Sequence, residues 1–161
     1  PVGVASAVIC AKAGANVTLV GRSLEKAEKI AGICNDRYDS KNVKGGADAD
    51  KSDFFNAADI VLNTGAAGIQ LMSEEHIKNS NTLKICADTN AVPPSGIAGV
   101  DVMDNGKVID MSPSKCLGIG ALAIGNIKYK SQHECLKLMY TSEKPVYLDF
   151  EDAFKFAQKS V

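Results

Sequence analysis

The sequence predicts an α/β fold built on a doubly wound parallel sheet. Short apolar segments at residues 16–20 (N-V-T-L-V), 59–64 (D-I-V-L-N-T) and 83–87 (L-K-I-C-A) have the continuous hydrophobicity of strands buried on both faces. Segments with helical spacing of apolar residues lie between them, and this alternation is typical of parallel sheets. The 161 residues fit one domain, residues 1–161.

The predicted helices follow from apolar spacing and from capping residues. Residues 4–13 are apolar almost throughout, so this helix should be buried. Residues 24–35 place Leu24, Ala27, Ile30 and Ala31 at helical spacing after Ser23, a favourable N-cap. Further helices are predicted at 54–58, at 73–79, within 118–140 along an apolar face, and after Asp149. Residues 39–53 are expected to form a loop with at most a weak strand at Val43, 88–99 to be irregular, and 107–109 to be a short strand.

The composition excludes several classes of function. The formal net charge of −1 gives no electrostatic reason for binding nucleic acid, and no apolar run is long enough for a membrane helix. The five cysteines form no C-x-x-C pair, which favours a reducing cytoplasm. The two histidines, His76 and His133, lie far apart in sequence, so we expect no metal site.

A glycine stands at the start of the first predicted helix. In dinucleotide-binding folds the first strand ends in a glycine-rich turn, whose last glycine lets the following helix pack closely on the sheet. Gly3 would be that glycine, and the amides of Val2 and Gly3 would face a pyrophosphate at the helix N-terminus. An apolar helix with an incidental glycine is the alternative, because the two leading glycines of the motif are not in the sequence.

The residues after the strand at 16–20 are more informative. This position contacts the adenosine ribose in such folds, where an acidic residue selects NAD and an arginine accommodates the 2′-phosphate of NADP. The chain has Gly21-Arg22-Ser23 there, with Lys26 one turn further and no acid at the strand end. Arg22 and Ser23 therefore predict NADP as the cofactor; a solvated arginine beside a capping serine is the alternative.

Two later strands also end in small or polar residues. Thr64-Gly65-Ala66 follows one strand, and small residues there would allow the backbone to approach the nicotinamide-side ribose. Asp88-Thr89-Asn90 ends the next strand, again at the edge where ligands bind. Ordinary turn chemistry explains the same residues equally well.

Several motifs together resemble one family. They are P-V-G-x-x-x-A-x-x-x-A-K-x-G-A-x-V-T-L-x-G-R, T-G-A-A-G, A-D-x-N-A-x-P-P-x-G-I-x-G-x-D and G-A-L-x-I-G-x-x-K-x-K. The chain is similar along its length to the NADP-dependent methylene-tetrahydromethanopterin dehydrogenases, which also act on methylene-tetrahydrofolate. Residues 39–53 match poorly, whereas residues 87–94 are the most discriminating stretch.

The resemblance implies a Rossmann domain that follows an N-terminal domain, with a pterin substrate in the cleft between them, and a homo-oligomer. It implies that Pro1, Val2 and Gly3 belong to the pyrophosphate turn and that Arg22 and Ser23 hold the 2′-phosphate. Thr64, Gly65, Ala66 and Asn90 would line the nicotinamide half, and Lys128 matches a family lysine that would face the cleft, although a surface lysine is an equal alternative. The implied reaction is hydride transfer from a methylene bridge to NADP. The pterin nitrogens delocalise the resulting cation, so no catalytic acid or base is assigned.

Other functions remain open at this stage. NADP-binding domains of the shikimate dehydrogenase or glutamyl-tRNA reductase type also place an arginine and a hydroxyl residue after the second strand. A nucleotide-sensing Rossmann module without catalysis is a further alternative. Because no strand is predicted before the first helix, we expect the first Rossmann strand and the N-terminal domain to be missing. In the order 3-2-1-4-5-6 that strand is central, so the 161-residue chain alone is expected to fold poorly and to be inactive.

Overall fold

The computed structural model describes residues 1–160. Its helices and strands alternate along most of the chain, as the sequence predicts. The order is α1 (Val2–Lys12), β1 (Val17–Gly21), α2 (Leu24–Tyr38), β2 (Val43–Ala47), a 3₁₀ turn (Asp48–Asp50), α3 (Lys51–Ala57), β3 (Ile60–Asn63), α4 (Glu74–Asn79), β4 (Ile85–Asp88), β5 (Asn105–Val108), β6 (Leu117–Ile119), α5 (Ala121–Thr141) and α6 (Phe150–Gln158).

The strands form two sheets. β1 and β2 are parallel and pair Val17 with Val43. The other sheet has the order β3-β4-β6-β5, in which only β5 is antiparallel to its neighbour. The predicted α/β class with mainly parallel strands is thereby confirmed. No ladder joins β1 to β3 in residues 1–160, so a single doubly wound sheet with its first strand missing stays a prediction.

Each sheet has its own apolar core. The core against β1 and β2 comes from small residues of α1 and α2 together with the first residue of β2, namely Ala7, Val8, Ala11, Ala31, Cys34 and Val43. The core of the four-stranded sheet contains larger side chains, namely Met72, Ile77, Leu83, Cys86, Ile97, Val100, Ile109 and Cys116. Small residues on α1 and α2 allow these helices to approach their strands closely.

Two strands differ from the sequence prediction. β2 is a regular five-residue strand within the predicted loop at 39–53, although its sequence V-K-G-G-A has weak strand propensity. Gly45 explains this composition, because a Cβ there would lie 2.4 Å from the Glu28 nitrogen of α2. β6 (Leu117–Ile119) has only three residues, and two of them fall in the glycine-rich start of the segment at 118–140, for which the sequence predicts a helix and no strand.

The predicted apolar faces are only partly buried. On α2, Ala27 and Ala31 are buried as predicted, whereas Leu24 and Ile30 are exposed. On α5, the predicted apolar face that includes Leu136 is exposed, and Ser131 is the one buried residue. Little besides α6 packs on α5 in the described part of the chain. No helix within residues 1–160 combines the length and the apolar character needed to cross a membrane.

Candidate functional site

The ends of the parallel strands determine where the predicted residues lie. β1 ends at Gly21 and is followed by Arg22 and Ser23, while β3 ends at Asn63 and is followed by Thr64. Because parallel strands share one carboxyl edge, the loops after β3 and β4 lie at the same edge of the four-stranded sheet. Ligands of open α/β sheets bind at such edges.

An open cavity of about 420 Å³ lies at the end of β1. It is lined by the last residues of β1 and the first two turns of α2, and it includes Arg22, Ser23 and Lys26 together with the apolar Ile30. Ser23 is the N-cap of α2, and its hydroxyl accepts a long hydrogen bond from the Lys26 amide at 3.4 Å. The sequence-predicted residues Arg22 and Ser23 are therefore neighbours in one pocket.

The cavity is positively charged. Neither Arg22 nor Lys26 has a carboxylate within 4.0 Å among residues 1–160. Glu25 lies in the first turn of α2 but does not line the cavity. The N-terminal end of the helix dipole adds to the two cations. The pocket can therefore attract an anion, and the planar guanidinium of Arg22 suits a phosphate.

The N-terminus of α1 meets the loop after β3. Pro1 is the N-cap of α1 and provides no side-chain cap, and both Pro1 and Val2 are exposed. A Cβ at Gly3 would lie 2.9 Å from Thr64 Oγ1, which is closer than real Cβ contacts. A Cβ at position 3 would therefore require the Thr64 side chain to shift, and the predicted residues Gly3 and Thr64 are brought together.

Asn90, another predicted residue of this edge, joins two loops by hydrogen bonds. The side-chain oxygen of Asn90 accepts from the Gly68 amide at 3.3 Å and from the Val92 amide at 2.9 Å. Its Nδ2 donates to the Pro94 carbonyl at 2.9 Å. Asn90 is thus buried as a brace between two loops, while Gly65 and Ala66 are exposed.

Lys128 lies apart from this group. It is exposed on α5, seven residues after the first residue of the helix, or about 10 Å along its axis. In residues 1–160 it has no hydrogen bond or ion pair with another predicted site residue. The predicted position of Lys128 at the substrate cleft therefore stays a prediction.

Sequence reasoning named Asp88 only as part of the strand end Asp88-Thr89-Asn90 and did not single out Asn63, although both side chains support these loops. Asn63 and Asp88 are both buried at the ends of β3 and β4, and Asn63 Nδ2 donates to Asp88 Oδ1 at 2.8 Å. The available sequence signal was that each of these polar residues ends an apolar strand.

Burial raises the pKa of the Cys86 thiol, and the neighbouring Cys116 raises it further, so Cys86 is a poor nucleophile. Within residues 1–160, no three metal-ligating side chains cluster.

Fold and site together define an α/β protein with a cationic pocket at a strand end, compatible with a Rossmann-like fold. No protein-family profile matches the chain. Two curated proteins of Methylorubrum extorquens do match it. An NAD(P)-dependent methylenetetrahydromethanopterin dehydrogenase is 38% identical over 155 residues, which cover 94% of this chain and 52% of that protein. The bifunctional protein MdtA is 35% identical over 149 residues, which cover 91% of this chain and 50% of that protein.

By sequence the chain is a homologue of the methylenetetrahydromethanopterin dehydrogenases, and the resemblance carried by its motifs is confirmed. The chain spans about half the length of the curated relatives that it matches.

Proposed function

We propose that the chain is the NADP-binding part of a dehydrogenase of one-carbon metabolism. The enzyme would transfer a hydride from the methylene group of methylene-tetrahydromethanopterin, or of methylene-tetrahydrofolate, to NADP. The cationic pocket at the end of β1 is the observation that carries this proposal, because Arg22 stands where NAD-specific domains have an acid and Lys26 adds a second cation one turn further. The name of one relative supports it, since that protein is an NAD(P)-dependent dehydrogenase.

The strand order supports a doubly wound sheet. The described strands give β2-β1 in one sheet and β3-β4-β6 in the other, which corresponds to 3-2 and 4-5-6 of the order 3-2-1-4-5-6. Among the described strands, β1 pairs only with β2 and β3 pairs only with β4, so each has one edge without a described neighbour. We propose that the first Rossmann strand occupies the position between β1 and β3 and satisfies their free backbone groups. A pterin-binding domain would complete the cleft.

The residues present fit NADP. Arg22 offers a planar fork for the 2′-phosphate, while Lys26 and the Ser23 hydroxyl add a second cation and a donor. The free amides at the start of α1, at Val2 and Gly3, suit the pyrophosphate, and Pro1 shapes the turn. Thr64, Gly65, Ala66 and Asn90 would border the nicotinamide half, with the exposed Lys128 towards the substrate. The family resemblance implies these assignments, and it is supported at the residues that follow β1, β3 and β4 by their place at the carboxyl ends of strands.

The protein's task in this reaction is positioning. When bound, NADP supplies the hydride acceptor. The loops after β3 and β4 would hold the reacting carbons about 3–3.5 Å apart and exclude water. A protein acid or base is not required, because the pterin nitrogens delocalise the charge of the product.

The test compares the two arginines of the chain. Arg22→Ala should weaken NADP binding by about 1.5–3 kcal/mol, the usual loss of a charge-assisted contact, and leave NAD binding unchanged. Arg37→Ala is the matched control, since Arg37 stacks on Tyr38 at the other end of α2 and should bind NADP like the parent. Isothermal titration of the full-length protein measures both. Equal NADP titration curves for Arg22→Ala and the parent would refute the assignment.

A turnover assay distinguishes the alternative functions. NADPH formation with methylene-tetrahydromethanopterin or methylene-tetrahydrofolate would support the proposed reaction. Binding of NADP with turnover of neither substrate would indicate a different dehydrogenase or a nucleotide-sensing module.

A further inference from the structure

One buried carboxylate at the edge of the four-stranded sheet has no ion-pair partner. Asp88, the last residue of β4, is 1% exposed, and no cation lies within 4.0 Å of it in the described part of the chain. It accepts three hydrogen bonds instead, from Asn63 Nδ2 at 2.8 Å, the Asn90 amide at 2.9 Å and the Ile97 amide at 3.0 Å. Burying a carboxylate in this way is costly unless every donor is in place.

The three donors reach the two loops at this edge. Asn63 also accepts from the Gly65 amide at 2.9 Å, which holds the start of the loop at residues 64–68. Asn90 begins the loop at residues 90–96, and the Ile97 amide is at its far end. Gly96 packs directly on Asn63, since a Cβ at Gly96 would lie 1.7 Å from Asn63 Nδ2. One carboxylate therefore fixes both loops relative to β3 and β4.

We infer that Asp88 is a positioning residue for the hydride transfer, acting through the loops at residues 64–68 and 90–96. This inference rests on the proposed function, which assigns these loops to the nicotinamide half of NADP. An ionised carboxylate only accepts hydrogen bonds, so its two oxygens match three converging donors. It thereby keeps the loop backbones in the arrangement that brings the nicotinamide and the methylene carbon together.

The inference predicts an effect confined to one end of the cofactor. The proposed phosphate-binding residues are Arg22, which follows β1, and Lys26, which lies in α2. Among the described strands, β1 pairs only with β2 and not with the four-stranded sheet. Arg22 and Lys26 share no hydrogen bond with Asp88. Loss of the carboxylate should therefore spare the adenosine 2′-phosphate end and disturb the nicotinamide end.

Asp88→Asn is the test variant in the full-length protein. If the amide oxygen keeps the Asn63 and Asn90 bonds, the amide NH₂ faces the Ile97 amide, and two donors oppose each other. Binding of 2′,5′-ADP, which probes only the phosphate end, should stay within twofold of the parent. We expect kcat to fall by on the order of 10- to 100-fold, because small misplacements of reacting atoms have such effects. The primary deuterium isotope effect with a deuterated methylene substrate should increase.

A milder variant and a matched control complete the experiment. Asn63→Ala removes one donor to Asp88 and the hydrogen bond with the Gly65 amide, and it replaces Asp88→Asn if that variant does not fold. It should also lower kcat and raise the isotope effect while 2′,5′-ADP binding stays unchanged. Asp104→Asn changes another buried carboxylate, which accepts from the Asp101 amide at 2.8 Å, pairs with Lys107 at 3.7 Å and has no hydrogen bond to either loop. The kinetics of this variant should match those of the parent.

The outcomes separate the two hypotheses. If the parent binds NADP and turns over its substrate but the variants at Asp88 and Asn63 keep parental kcat and isotope effect, the positioning role is wrong and the proposed function stands. Equal losses of 2′,5′-ADP binding and kcat would also overturn it, since they indicate general disruption. A parent that binds no NADP overturns both.

Discussion

Replacing Gly45 by alanine should destabilise the protein strongly. Gly45 lies in β2 directly beneath α2, and a Cβ there would lie 2.4 Å from the Glu28 nitrogen and 2.7 Å from the Ala27 carbonyl carbon. Ordinary contact begins near 3.4 Å, so the helix would have to move by about 1 Å. Backbone atoms cannot rotate away, and Asn35 further ties α2 to β2 by two hydrogen bonds with Val43.

The expected loss follows from two opposing effects. Overpacking costs about 1–3 kcal/mol, and the rigid neighbours place this site at the upper end. Alanine also restricts the unfolded chain, which returns up to about 1 kcal/mol. We therefore expect Gly45→Ala to lower the free energy of unfolding by about 2 kcal/mol, measured by urea denaturation followed by circular dichroism.

Gly32→Ala is the matched control on α2. A Cβ at Gly32 meets nothing within 4 Å, so alanine there should stabilise the helix by about 0.5–1 kcal/mol. Opposite signs for the two variants would support the close packing of α2 on β2. A Gly45→Ala protein as stable as the parent would refute this reasoning.

Two further predictions concern a helix cap and the buried thiols. Asp149 accepts from the Glu151 and Asp152 amides at 2.9 and 3.4 Å, so Asp149→Ala should destabilise α6 by about 1 kcal/mol. Faster amide hydrogen exchange confined to α6 would confirm this, and unchanged exchange there would contradict it. Burial raises the pKa of Cys86 above its ordinary 9.0, and Cys116 raises it further. Above pH 9 the unfolded thiol ionises while the folded thiol stays protonated, so the free energy of unfolding should decrease as pH rises. Urea titrations at pH 8 and 10 measure this, and equal free energies of unfolding at the two pH values would contradict a raised pKa of the Cys86 thiol.

The sequence alone determined the features that depend on neighbouring residues. Apolar runs predicted β1, β3 and β4, because strands buried on both faces need continuous hydrophobicity. Capping residues predicted helix starts, and Ser23 and Asp149 are the observed N-caps of α2 and α6. The position of Arg22 after β1 followed from the same local pattern.

Only the tertiary structure decided what depends on residues far apart in the sequence. β2 forms despite its two glycines because α2 packs on Gly45, and the partner backbone that stabilises it belongs to β1. The bond from Asn63 to Asp88 joins residues 25 positions apart, so no local spacing indicates it. The exposure of the apolar face of α5 likewise depends on which elements pack against it, and a helical period shows that such a face exists without showing what covers it.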